Sequence, residues 1–125
     1  MNDKKQKRKT TMTKELEELE TKGVEIFTSK SRWESKYNNA PNGAKEYYRL
    51  MFALSIAAMV SNGGQVDMAR LGADEERDRI YQTMDDESWD YVLANAEHAE
   101  GLGLYIARKH MQGKPNVKYG DWLQK

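Results

Sequence analysis

An all-α fold, a compact bundle of about four to five helices, is what this 125-residue sequence predicts. Three observations carry that expectation: only two prolines, long runs of Ala, Leu, Met, Glu, Lys and Arg, and glycines placed where helices should stop. Residues 1–11 carry Lys4, Lys5, Lys7, Arg8 and Lys9 and no apolar residue beyond Met1, so they are expected to form a disordered basic tail. Residues 12–125 are then one helical domain, since about a hundred residues build one core and not two.

Thr13 has the chemistry of an N-cap, with Glu15 and Glu17 near the positive end of a first helix that Gly23 should stop after about residue 22. Residues 24–28, holding Val24, Ile26 and Phe27, read as a short extended segment. Ser31 followed by Glu34 is a capping-box pattern, so a short helix should run from 32 to about 38 with Trp33 and Tyr37 on one face.

A break at Asn38, Asn39, Pro41, Asn42 and Gly43 precedes the central apolar helix, expected over about 44–61, where Tyr47, Tyr48, Met51, Leu54 and Ala58 recur at helical spacing. Its C-terminal half is apolar nearly all round, the pattern of a helix that others surround. Short helices are expected over 65–71 and 74–84, separated by Gly72. Asp85 or Asp86 should then cap a long C-terminal helix over about 87–112, with Trp89, Val92, Ala96, Ala99, Gly103 and Ile106 along one apolar stripe. Ala99, Gly103 and Ala107 recur every fourth residue, a small-residue face for an internal helix or, in the alternative, a homodimer seam.

Several function classes are excluded or left without support. The absence of cysteine removes disulfides, thiolate metal sites and cysteine nucleophiles. His98 and His110, twelve residues apart on one expected helix, would lie about 18 Å from each other and cannot share a metal. No serine has a nucleophile-elbow context and no glycine pair is followed by a phosphate-loop lysine, so no catalytic residue, metal or cofactor is expected. The most apolar stretch, residues 50–60, is too short to span a bilayer, and no apolar run follows the basic start as a secretory signal would require. A cytoplasmic protein without membrane contact is the expectation.

Charge is segregated although the formal total is zero. Residues 67–100 hold eleven acids against Arg70, Arg77 and Arg79, whereas residues 101–125 hold five bases against Asp121. Interspersed signs would serve solubility as well, so clustering points to a partner of opposite sign. The expected function is therefore a non-enzymatic regulator or inhibitor. Its partner would be a basic protein surface of the kind that a nucleic-acid-handling enzyme presents, contacted by Asp74, Glu75, Glu76, Asp78, Asp85, Asp86, Glu87 and Asp90. Trp33, Tyr37 and Trp122 are the candidate aromatic anchors. Nuclease inhibitors carried by phages and mobile elements are of this physical type.

Two alternatives stand beside it. In one, the chain is a small nucleic-acid-associated protein, with the basic tail (Lys4, Lys5, Lys7, Arg8, Lys9) and Arg32, Lys36, Lys45 and Arg49 neutralising phosphates. In the other it is a structural homodimer. A helix-turn-helix over residues 65–81 is disfavoured, because Asp74, Glu75, Glu76 and Asp78 would face phosphate from the reading helix.

Overall fold

The computed structural model describes residues 13–29 and 31–114, and these form an all-helical fold. Its seven α-helices are α1 (Lys14–Phe27), α2 (Arg32–Asn38), α3 (Asn42–Val60), α4 (Met68–Leu71), α5 (Ala73–Thr83), α6 (Asp86–Ala94) and α7 (His98–Met111). The basic tail, Trp122 and the rest of residues 115–125 lie outside the described residues. No helix among those described is long and apolar enough to cross a membrane.

Thr13 caps α1, its side chain accepting from the Leu16 backbone N–H at 3.1 Å, and its hydroxyl donates onward to the Leu71 carbonyl at 3.0 Å. The helix does not stop at Gly23, and residues 24–27 are helical where an extended segment was expected. The reason is tertiary: a Cβ at Gly23 would lie 2.7 Å from the Phe52 Cβ and 3.1 Å from the Phe52 carbonyl carbon. Gly23 is therefore the point where α1 and α3 touch, and the helix continues so that Phe27 can stack on Phe52 with ring centroids 4.8 Å apart. Termination comes at Thr28, whose hydroxyl donates to the Val24 carbonyl.

Helix α3 is the centre of the fold, as its pattern predicted. Tyr48, Leu50, Phe52, Ala53 and Ile56 are buried on it, and burial of each large side chain contributes about 1.5–3 kcal/mol. Its last turn departs from expectation: Met59 and Val60 are 67% and 76% exposed. Ser31 caps α2 as its sequence predicts, accepting from the Trp33 N–H at 3.1 Å, and α2 lays Trp33 edge-on against Tyr48 and Phe52.

Asp67 caps the four-residue α4, Gly72 takes the left-handed conformation between α4 and α5, and Asp85 caps α6 through the Ser88 N–H at 3.0 Å. The expected long C-terminal helix is two helices. At Asn95 both the backbone N–H and the side-chain amide donate to the Tyr91 carbonyl, and Glu97 is extended. The break turns α7 so that Gly101 and Leu104 face the core, while Ala99, Gly103 and Ile106 turn outward. Of the expected small-residue face, Ala107 packs against the core, whereas among the described residues a Cβ at Gly103 would meet nothing within 4 Å, so no described helix packs at Gly103.

Candidate interaction surface and the charge systems of the fold

The predicted site residues within the described chain fall into three charged groups. The first is acidic and occupies α5 and the start of α6. Asp74 and Asp78 both lie 3.6 Å from Arg77, with side chains 49% and 63% exposed. Asp86 and Asp90 receive hydrogen bonds from Arg108 at 3.2 and 2.8 Å and are nonetheless 88% and 71% exposed, because the Arg108 side chain, at 15%, lies beneath them. Glu75 and Glu87 are exposed and have no ion pair among the described residues, and Asp85 is exposed while serving as a cap. Seven carboxylates thus stand on two consecutive helices against the two guanidinium groups of Arg77 and Arg108.

Glu76 does not belong with them. Only 3% of it is exposed, and Arg79 holds it with two hydrogen bonds, from Nε at 3.1 Å and from Nη2 at 2.7 Å. Its placement on an outward acidic face is therefore corrected. Ala73, Glu76 and Ile80 are the buried residues of α5, and their spacing of three and four puts the carboxylate on the inner stripe.

The second group surrounds Glu76. Arg79 also donates to Glu46 at 3.0 Å, and Glu20 of α1 completes the junction with Arg49 of α3, whose Nε is 4.0 Å away. Burial first, then the neighbouring Glu76 carboxylate, raises the Glu20 pKa from its ordinary value to about 7. Hydrogen bonding to Glu76 holds Arg79 firmly protonated. In the sequence Glu20 looks like one acid in an exposed run with Glu15, Glu17 and Glu18. A signal was present: Leu16, Glu20, Gly23 and Phe27 follow helical spacing, which places Glu20 in the apolar stripe of α1.

The third group is basic and aromatic, around α2. Lys36 Nζ sits 4.8 Å from the centre of the Trp33 ring, Lys45 Nζ 5.8 Å from that of Tyr37, and Arg49 donates to the Tyr37 hydroxyl at 3.0 Å. Arg32 is exposed and pairs weakly with Glu97 at 3.5 Å. Arg49 is turned toward Tyr37 and Glu20. Trp33 and Tyr37 are half-buried and pack against Phe52.

A groove of about 450 Å³ separates α2 from the turn before α7, lined by Arg32, Trp33, Lys36, Met51, Glu97 and His98. Its walls carry opposite charges, so it selects neither anions nor cations. Among the described residues no group of three His, Asp or Glu is placed to hold a metal ion. Comparison of the chain with protein-family models, with curated proteins and with solved structures finds no match in any of the three.

Proposed function

We propose that this chain is a non-enzymatic protein-binding regulator whose α5–α6 carboxylates dock on a basic groove of a partner protein. The class of partner that presents such a groove is a nucleic-acid-handling enzyme, and the regulator would inhibit it by occupying the phosphate track. The observation that carries this reading is the arrangement of Glu75, Asp78, Asp86, Glu87 and Asp90. All are exposed, two are held outward over a largely buried arginine, and the cations nearest to them are outnumbered. Each exposed ion pair contributes only ~0.2–1 kcal/mol, so these groups govern association rate and salt sensitivity more than final affinity.

The test is charge reversal with a matched control. Glu75→Lys, Asp78→Lys and Glu87→Lys together should slow association with a captured partner about tenfold at low salt. The same three-charge reversal at Glu17, Glu18 and Glu25 on the outer side of α1 should leave it nearly unchanged. Duplex DNA added at constant ionic strength should release the partner, because it occupies the same groove. Equal binding by both triple variants, or a partner indifferent to DNA, would refute the proposal.

A further inference from the structure

Where α1 meets α3 and α5, five ionisable side chains come together: Glu20 from α1, Glu46 and Arg49 from α3, and Glu76 and Arg79 from α5. Two of the three carboxylates are bound by Arg79, at 2.7 and 3.0 Å. Glu20 accepts no hydrogen bond among the described residues. Its nearest cation, Arg49, is 4.0 Å away and is shared with the Tyr37 hydroxyl, and Glu20 itself is only 9% exposed. A carboxylate so placed has lost water without gaining a donor, and ionising it costs energy. Of the three carboxylates, Glu20 is the one without a bound donor among the described residues, so it is the one that most readily keeps a proton.

We infer that Glu20 is a proton-operated latch that seats α1 on α3 and α5. With Glu20 protonated the junction is spared a poorly hydrated negative charge and α1 is docked. When Glu20 ionises, the junction gains a negative charge that has little access to water and no hydrogen-bond donor among the described residues, and α1 loosens. It is α1 that moves, because the Arg79–Glu46 bridge ties α3 to α5 directly, whereas α1, apart from Glu20, is tied by the exposed Glu15–Arg70 pair and the half-buried Thr13 hydroxyl at its N-terminus. The close approach of Gly23 to Phe52 leaves no room for sliding, so α1 relieves the repulsion by moving away.

Glu20 titrates in the folded protein near 7, against 4.5 when its environment is ordinary. For an acid raised in this way the folded state binds the extra proton, so the stability it contributes is full below about pH 4.5, falls as pH rises, and is gone above about pH 7. The corresponding loss in the folding constant is on the order of a hundredfold.

The experiment is urea unfolding of the full chain and of Glu20→Gln, which mimics the protonated acid, from about pH 5 to about pH 8.5. The ratio of the two folding constants should change on the order of a hundredfold across that range, and curves that run parallel would overturn the latch. A second readout isolates α1. The chain has no cysteine, so a thiol introduced by Ala53→Cys, behind Gly23, reports exposure of the α3 face under α1. Near pH 8 it should react with a maleimide about tenfold faster with Glu20 present than with Glu20→Gln, and at equal rates near pH 5.5. Equal rates near pH 8 would overturn the latch even if stability varied with pH. Should Glu20→Gln fail to fold, two further variants decide. Arg49→Met should move the stability transition to higher pH and Glu46→Gln to lower pH, and an unmoved midpoint in both would reject the inference.

Discussion

Replacing Gly23 with alanine separates two accounts of the same residue. If Gly23 merely interrupted a helix, alanine would stabilise the protein by about 1 kcal/mol, the difference in helix propensity between the two residues. The structure dictates the opposite sign. The added methyl would lie 2.7 Å from the Phe52 Cβ, 3.1 Å from the Phe52 carbonyl carbon and 3.3 Å from the Ala53 nitrogen. Carbon atoms rest at about 3.5–4 Å, and two of these three neighbours are backbone atoms that cannot rotate aside. Helix α1 must retreat by most of an ångström, which costs about 1–3 kcal/mol of overpacking and weakens the Phe27–Phe52 stack by up to about 1 kcal/mol more. After the propensity gain the net loss is about 1–3 kcal/mol, or several degrees in Tm for a domain of this size. Gly103→Ala is the matched control, since a methyl there meets nothing within 4 Å and should raise stability by about 0.5–1 kcal/mol. Thermal and urea unfolding of both variants measure the contrast. A Gly23→Ala protein as stable as Gly103→Ala would show that α1 and α3 do not approach as described.

Two arginines that each hold a pair of acids should respond differently to Arg→Met. Arg79→Met removes the guanidinium that makes two hydrogen bonds to buried Glu76 and should cost about 3–5 kcal/mol in urea unfolding, whereas Arg108→Met leaves Asp86 and Asp90 free to hydrate and should cost less than about 1 kcal/mol. Similar costs for the two would contradict the burial assigned to Glu76. Tyr47, Tyr48 and Tyr81 are all raised above the ordinary tyrosine pKa, in each case chiefly by burial, with Glu100 adding to the effect on Tyr47 through a 2.6 Å hydrogen bond. Since the folded state keeps these protons and the unfolded chain loses them near pH 10, stability should fall as pH rises beyond about 10. Ultraviolet titration should show that their ionisation coincides with unfolding, and reversible ionisation of all seven tyrosines in the folded protein would contradict it.

Local chemistry determined much of what the sequence reveals. The caps at Thr13, Ser31 and Asp85 and the left-handed turn at Gly72 depend on residues a few positions apart, and they stand where the sequence places them. The central helix was legible for a related reason: an apolar run of that length with helical spacing has one way to hide. The segregation of charge along the chain was equally plain.

Tertiary structure decided the remainder, because those outcomes depend on which residues distant in sequence meet. Gly23 reads as a stop until Phe52 is seen against it, and the continuous pattern from residue 87 to 112 reads as one helix until α7 must turn to bring Leu104 to the core and Arg108 under Asp86 and Asp90. Glu20 and Glu76 look like ordinary surface acids, although each occupies a buried position of its helix. Spacing alone assigns a side chain to a face, but whether that face is covered, and by which charge, is fixed only when three helices converge and water is displaced between them.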